Sequence, residues 1–200
     1  VHGHGTGDLL DRVFEHIPEA DFDDTEEDVI NVAVIGKPNA GKSSLINSIS
    51  GEERVIVSDI AGTTRDAIDT MVTVKGQKYN FTDTAGIRRK SKVDDDIEKY
   101  SVMRAKMAVE RADVCVIMID ATEGVTDQDT KIAGMAHEAG KATIVVVNKW
   151  DLIEKDTNTI NKFNNDLKEA LKFMDYVLPV YISAKTGQRI DKLLDEIKKV

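Results

Sequence analysis

Residues 36–44, GKPNAGKSS, combine the residue types that bind a chain of phosphates. They contain the pattern Gly36-x4-Gly41-Lys42-Ser43, directly after an apolar run and directly before the helical pattern SSLINSI. Glycines allow backbone amides to turn towards phosphate oxygens, and the start of a helix adds the positive end of its dipole. Lys42 is expected to reach the β and γ phosphates and Ser43 to bind Mg²⁺, whereas the alternative is an incidental glycine turn. The predicted phosphate-binding residues are Gly36, Asn39, Ala40, Gly41, Lys42, Ser43 and Ser44.

Two further segments carry groups suited to the same metal and to the terminal phosphate. DTAG, residues 83–86, supplies Asp83 as a metal ligand through water, and Gly86, whose amide can approach a γ-phosphate. AGTTRD, residues 61–66, supplies a hydroxyl that can complete the metal shell. We favour Thr64 over Thr63 for this role, and either threonine is alternatively a solvated loop residue. The predicted catalytic residues are Lys42, Thr64 and Gly86, and the predicted Mg²⁺ ligands are Ser43, Thr64 and Asp83.

Residues 148–151, NKWD, are suited to recognise guanine. Guanine presents two adjacent N–H donors that adenine lacks, and Asp151 would accept both. A carboxylate left unpaired by the wrong base costs several kcal/mol, enough for a discrimination of roughly 10⁴. We expect Asn148 to brace the surrounding loops and the stem of Lys149 to cover the base. Taken alone, the tetrapeptide is equally consistent with a surface turn.

The segment SAK, residues 183–185, follows the last strand pattern and places the Ala184 amide near the expected position of guanine O6. Together with the preceding segments, in this order along the chain, it predicts a GTP site and argues against an ATPase. The predicted base-binding residues are Asn148, Lys149, Asp151, Ser183, Ala184 and Lys185.

The elements that must position these groups alternate between strand and helix patterns. Continuous β-branched runs at 114–119 and 143–147 suit strands buried on both faces, as parallel sheets require. Helical spacing of apolar residues extends from Ile160 to Met174 and from Ile190 to Ile197. Lys75-Gly76 predicts the turn of an antiparallel hairpin. The chain is therefore predicted to be an α/β protein with a doubly wound, mostly parallel six-stranded sheet.

Composition limits the classes of protein further. The chain has 200 residues and is 41% hydrophobic, enough for a sizeable core. Its one cysteine, Cys115, lies in an apolar run and is expected to be a buried thiol in a reducing compartment, which favours the cytoplasm. No apolar run is long enough to cross a bilayer, so we expect no membrane partner. Seven of the acidic residues behind the net charge of −9 lie between Glu19 and Asp28, so the charge of the remainder neither favours nor excludes RNA.

The segments GKPNAGKSS, AGTTRDAID, DTAGIRRKSKV and HEAGKATIVVVNKWD together resemble the second G domain of the bacterial Der (EngA) family of GTPases. The resemblance covers essentially the whole chain. It implies a P-loop NTPase fold of the Ras-like G-domain type, hydrolysis of GTP to GDP and phosphate, and a role in assembly of the large ribosomal subunit. The alternative is a guanine-nucleotide-dependent binding module with negligible hydrolysis.

The first residues of the chain repeat a pattern found at its end. Gly3 and the Leu9-Leu10-Asp11 triplet correspond to Gly187 and Leu193-Leu194-Asp195. Family members carry two G domains and a KH-like domain, so the resemblance implies upstream and downstream partner domains within a longer protein. We therefore predict that residues 1–17 are the last helix of an upstream G domain, 18–28 an acidic linker and 29–200 a G domain. A generic amphipathic helix after glycines is the alternative reading of the repeat.

The sequence lacks the glutamine that orients the attacking water in Ras-like GTPases, so GTP hydrolysis here requires another explanation. Ile87 stands where Ras-like enzymes have a glutamine that orients the attacking water, so we expect slow unaided turnover and leave the water-orienting residue open. The resemblance implies K⁺ beside the phosphates, because relatives with an asparagine at the position of Asn39 and a TTRD loop bind it there. We hypothesise that Asn39 binds K⁺; the alternative is an asparagine that stabilises the turn after Pro38.

Overall fold

One six-stranded sheet forms the centre of the molecule. The computed structural model describes residues 28–51, 68–84 and 94–200. Within them the strand order is β2-β3-β1-β4-β5-β6, and all neighbours are parallel except the antiparallel pair β2 and β3. The predicted sheet is confirmed. The strands are β1 (Val29–Gly36), β2 (Ile68–Val74), β3 (Gln77–Asp83), β4 (Val114–Asp120), β5 (Ala142–Asn148) and β6 (Val180–Tyr181).

The predicted hairpin at Lys75-Gly76 is also confirmed, since this pair connects β2 to β3. Both residues have positive φ angles, 50° and 84°, which the short connection between two twisted strands favours. The antiparallel pair therefore forms one edge of an otherwise parallel sheet.

Helices cover both faces of the sheet and divide the core in two. On one face, α1 and α5 pack against residues such as Val34 and Phe81; on the other, α2, α3 and α4 pack against residues such as Ile35 and Ile117. All seven residues of β4 are buried, which explains its uninterrupted apolar sequence. The helices are α1 (Lys42–Ser50), α2 (Asp94–Arg111), α3 (Asp127–Glu138), α4 (Thr159–Ala170) and α5 (Ile190–Ile197).

Two elements differ from the sequence pattern. The helical spacing that runs to Met174 is interrupted at Leu171 (φ −111°, ψ 41°), and the last turn forms a separate 3₁₀ helix over Lys172–Met174. Strand β6 has two residues, fewer than its apolar run, and follows directly after Pro179. Proline has no N–H for a sheet hydrogen bond, so pairing starts beyond it.

Parallel strands place their carboxyl ends at a common edge. Here β1 ends before the glycine-rich loop, β3 ends at Asp83, β4 at Asp120 and β5 at Asn148. Cys115 lies away from this edge, near the start of β4, where it is fully buried as predicted and burial raises the pKa of its thiol to about 11. In the part of the chain that the structure describes, every helix is too short or too polar to cross a membrane.

Candidate functional site

The loop between β1 and α1 makes two close backbone approaches that require glycine. A Cβ atom at Gly36 would lie 2.5 Å from the carbonyl oxygen of Met118, and a Cβ at Gly41, where φ is 101°, would lie 2.2 Å from Nδ2 of Asn148. The phosphate loop, residues 37–41, therefore lies against the end of β4 and against Asn148. Asn39 is exposed at its apex with a φ of 65°, a conformation that asparagine tolerates.

Lys42 begins α1, and its ammonium turns back onto the phosphate loop. Nζ donates to the carbonyl oxygens of Gly36 at 2.7 Å and Lys37 at 2.6 Å. The side chain is buried, and burial lowers its pKa, with the charge of Asp83 acting in the opposite direction. An anionic phosphate beside this group would favour its charged form, which is the chemistry expected of Lys42.

The two predicted Mg²⁺ ligands within the described residues lie together. Ser43 Oγ, in the first turn of α1, donates to Asp83 Oδ2 at 2.8 Å. Thr84 fixes the end of β3 by donating its hydroxyl to the carbonyl oxygen of Val34 at 2.9 Å. A hydroxyl and a carboxylate fit Mg²⁺, which binds few protein oxygens and takes the others from phosphates and water. The described residues contain no group of three or more His, Cys, Asp or Glu side chains suited to a metal, and this kind of site does not need one.

Asn148, at the end of β5, connects the phosphate loop to the SAK loop through its side chain. Its Nδ2 donates to the carbonyl oxygen of Ala40 in the phosphate loop at 2.8 Å, and its Oδ1 accepts from the Ala184 amide at 2.9 Å. The side chain is almost completely buried, and each of its polar atoms has a partner. A carboxamide suits this position because it supplies one donor group and one acceptor.

Trp150 anchors the loop that carries the predicted base-binding groups. Its indole is buried against the rings of Tyr181, with centroids 4.4 Å apart, and Phe163, at 5.2 Å, and its amide donates to Ile182. The flanking residues Lys149 and Asp151 are half-buried. Among the described residues, Asp151 has no hydrogen-bond partner, so its carboxylate can accept from a ligand.

The SAK loop differs in one respect from the expected arrangement. The Ala184 amide, expected near guanine O6, donates to Asn148 Oδ1, so a base oxygen would share or replace that bond. Ser183 is fully buried and shapes the loop: its hydroxyl accepts from the Thr186 amide at 3.2 Å, and its own amide donates to Gln188. Lys185 is exposed.

Sequence reasoning missed a set of charged residues behind these loops. Lys37 of the phosphate loop pairs with Glu123 and Asp129, while Lys149 pairs with Asp120. The one local signal was the spacing Thr126-x-x-Asp129, typical of the start of a helix, and Thr126 is indeed the N-cap of α3.

Several predicted features fall outside the described residues. These are Thr64, Gly86, Ile87, the upstream helix at 1–17 and, apart from Asp28, the linker at 18–28. The structure brings together the phosphate-loop residues, Asp83, the NKWD loop and the SAK loop, and their binding roles stay predictions.

Comparison with known proteins identifies relatives of the chain. Residues 31–149 match the family described as 50S ribosome-binding GTPase. GTPase Der of Ruminiclostridium cellulolyticum is 66% identical over 200 residues, which cover 100% of this chain and 45% of that protein. GTPase Der of Acetivibrio thermocellus is 63% identical over 200 residues, again covering 100% of this chain and 46% of the relative. The resemblance to Der GTPases is confirmed, and the chain spans slightly less than half the length of these relatives.

A solved structure shares the fold. It shows Era in complex with MgGDPNP and nucleotides 1506–1542 of 16S ribosomal RNA, with a TM-score of 0.66 and 35% sequence identity. The match covers 86% of this chain and 56% of Era. The P-loop G-domain architecture predicted from the sequence is thereby confirmed.

Proposed function

The chain belongs to the 50S ribosome-binding GTPase family, and from that premise we propose that it binds GTP and GDP and hydrolyses GTP to GDP and phosphate. The observation that carries this proposal is the position of Asn148, whose side chain joins the phosphate loop at Ala40 to the SAK loop at Ala184. One buried carboxamide thus holds the predicted phosphate-binding and guanine-binding loops in a fixed relation.

The phosphate loop and α1 supply the groups for the triphosphate. Lys42 would exchange its two carbonyl partners for β and γ phosphate oxygens, while backbone amides of the loop and the start of α1 stabilise the phosphate charge. Ser43 and Asp83 would hold Mg²⁺, which supplies charge neutralisation at the phosphates when bound. Support for Mg²⁺ comes from the hydroxyl–carboxylate pair and from Era, which was solved with MgGDPNP.

The base is selected at the NKWD loop. Asp151 would accept the two adjacent N–H groups of guanine, and the stem of Lys149 would cover one face of the ring. The free acceptor capacity of Asp151 and the buried anchor at Trp150 support this assignment. We retain Thr64 as a further Mg²⁺ ligand and Gly86 as the sensor of the γ-phosphate on sequence grounds.

We further propose that K⁺ stimulates hydrolysis through Asn39, whose exposed position at the apex of the phosphate loop leaves its side chain available. A monovalent cation there would offset charge developing between the β and γ phosphates. The positive φ of Asn39 also fits the simpler role in the turn. Steady-state GTP hydrolysis in KCl and in NaCl at equal ionic strength distinguishes the two, since equal rates would remove the K⁺ role.

A second function is favoured by Ile87, which cannot orient a water molecule. In that case the chain would be a binding module that uses guanine nucleotide without hydrolysing it. Single-turnover assays with GTP, Mg²⁺ and K⁺ separate the two functions: release of phosphate supports the GTPase, and stable binding of GTP without phosphate release supports the module. Failure of calorimetry to detect binding of either GDP or GTP would overturn both.

The cellular role we propose is assembly of the large ribosomal subunit, as one G domain of a longer cytoplasmic protein with an upstream G domain and a KH-like domain. The family description names the 50S subunit, and the Der relatives are about twice the length of this chain. The division at residues 17 and 28 rests on the sequence repeat. Sedimentation of the longer protein with large ribosomal subunits, in GDP and in a non-hydrolysable GTP analogue, tests this role.

A further inference from the structure

A single segment behind the nucleotide site contacts both of its halves. Residues 120–129, DATEGVTDQD, run from the end of β4 into the first turn of α3, and we call them the acidic strap. Its carboxylates pair with two lysines that belong to different loops, Lys149 of the NKWD loop and Lys37 of the phosphate loop.

At the base end, Asp120 holds Lys149. The Lys149 ammonium donates to Asp120 Oδ2, and Asp120 Oδ1 accepts from the amide and hydroxyl of Thr122 at 2.9 and 2.7 Å. The Asp120 carboxylate is nearly buried, whereas the Lys149 side chain is about one-third exposed. The carboxylate is thus fixed by the strap, and it fixes in turn the direction of a lysine that is otherwise free to turn into solvent.

At the phosphate end, Asp129 and Glu123 hold Lys37. The Lys37 ammonium lies 2.6 Å from Glu123 Oε2 and 3.3 Å from Asp129 Oδ2. Asp129 is itself fixed, because the same oxygen accepts from the amide and hydroxyl of Thr126 at 3.0 and 2.7 Å. Glu123 is exposed, but Lys37 and Asp129 are buried, so this end of the strap is a partly dehydrated ion pair.

The Lys37 backbone connects this pair to the predicted chemistry. Its carbonyl oxygen accepts from the Lys42 ammonium at 2.6 Å and from the Ala40 amide at 3.3 Å. The side chain therefore anchors the same peptide that shapes the phosphate loop around Lys42. A shift of Lys37 would move loop atoms that must fit a phosphate chain, and small displacements of this kind are costly for binding.

We propose that the acidic strap positions the two halves of the nucleotide site, with Asp120 acting through Lys149 on the base and Asp129 acting through Lys37 on the phosphates. The inference rests on the proposed binding of guanine nucleotides. Asp120, Asp129 and Lys37 are positioning residues, since their contacts are with the loops.

The phosphate end is tested by the affinities of the 200-residue chain for GDP and GMP. K37M should weaken the binding of GDP about tenfold and the binding of GMP much less, because GMP lacks the β-phosphate. K37R keeps the charge and should restore most of the GDP affinity. Since K37M leaves Asp129 buried without its partner, D129N and the double variant K37M/D129N are measured beside it; Asn still accepts from Thr126 and carries no unpaired charge.

The base end is tested by a double-mutant cycle. D120N should weaken the binding of GDP and the binding of GMP by the same factor, about three- to tenfold, because both ligands carry guanine. In a K149M background, D120N should cause little further loss, since Asp120 acts through Lys149. Additive losses would assign Asp120 a general structural role and overturn this half of the proposal.

Glu196→Gln serves as the matched control, because it neutralises one partner of an exposed ion pair with Lys199 in the last turn of α5. It should leave both affinities unchanged. Equal losses of GDP and GMP in K37M, or changes under twofold in K37M and D129N, would overturn the phosphate half while the wild type still binds GDP. Absence of GDP binding by the wild type would overturn the proposed function together with this inference.

Discussion

Asp151 is the residue on which base selection depends in the proposed function. It is half-buried, follows the anchored Trp150 and has no hydrogen-bond partner among the described residues. Replacing Asp151 with Asn exchanges one acceptor oxygen for an N–H donor, which can donate to the O2 carbonyl of xanthine but not to the N2 amino group of guanine. We expect D151N to lose roughly 10²-fold or more in affinity for GDP and to gain affinity for xanthosine diphosphate, measured by competition binding.

Asp166→Asn, on an exposed position of α4, is the control for D151N and should bind GDP as the wild type does. An unchanged preference for GDP in D151N would contradict the assignment of the base pocket.

Gly41 supports a second prediction at the scale of one residue. Ala at this position would bring its Cβ to 2.2 Å from Asn148 Nδ2, in addition to the strain of a φ of 101°. Gly76 has a φ of 84° but open space around it, so G76A isolates the strain. We expect G76A to lower the free energy of unfolding by about 1 kcal/mol and G41A by roughly 2–4 kcal/mol, measured by urea denaturation.

Nucleotide affinity provides the second readout for this pair. G41A should weaken GDP binding at least about tenfold, because Asn148 must move away from the phosphate loop, and G76A should not. Equal losses of stability in the two variants would show that the clash between the added Cβ at position 41 and Asn148 does not lower the free energy of unfolding.

Residue types with fixed local spacing were predictable, and pairs that depend on strand order were not. The sequence from Gly36 to Ser43 identifies a phosphate loop because the chemistry requires those types at that spacing. The partnership of Lys37 with Asp129 depends on β4 lying beside β1, which no local pattern indicates. The donation from Ala184 to Asn148 likewise depends on the approach of two loops far apart in the chain.

At the scale of elements, α3 contains a residue that weakens it. Gly134 lies inside this helix, and a Cβ there would meet nothing within 4 Å. Alanine restricts the unfolded chain more than glycine does, so G134A should raise the free energy of unfolding by about 0.5–1 kcal/mol in urea denaturation.

Gly140, just beyond α3, is the matched control for this substitution. It also has open space around it, but its φ of 65° is strained for alanine, so G140A should lower stability. A G134A variant less stable than the wild type would contradict the described environment of α3.

The strands and helices themselves were predictable where hydrophobic periodicity was long. The buried runs of β4 and β5 follow from their β-branched sequences, and the two-residue β6 shows the limit of this reasoning. Pro179 ends the pairing before the apolar run does. The break at Leu171 has no signal in the helical spacing, because Met174 stays buried against the core after the chain turns into a 3₁₀ helix.

At the scale of the whole molecule, stability should depend on Asp120 at low pH. Burial works to raise the pKa of Asp120, but hydrogen bonds from Lys149 and Thr122 outweigh it and hold the pKa below its ordinary value of 3.8. The unfolded chain therefore takes up this proton more readily than the folded one. The contribution of Asp120 is complete at neutral pH and is lost as the pH falls below about 4 towards the lowered pKa.

The substitution D120N removes the contribution of Asp120 to the pH dependence of stability. The difference in unfolding free energy between the wild type and D120N should narrow as the pH falls from about 6 to about 3, measured by denaturation of the nucleotide-free chain. A difference that stays constant over this range would mean that Asp120 does not stabilise the fold through its charge. Surface carboxylates contribute equally to both proteins and cancel in the comparison.

The burial of Cys115 has a practical consequence for studying motion in this molecule. Its thiol is fully buried in the sheet and is the only one in the sequence, so it should not react with maleimide dyes in the native state. A fluorophore or spin label can then be attached at a single introduced surface cysteine while the native thiol remains in place. Spectroscopic reporters on the phosphate loop and on the SAK loop would measure whether the distance between these loops changes when nucleotide is added.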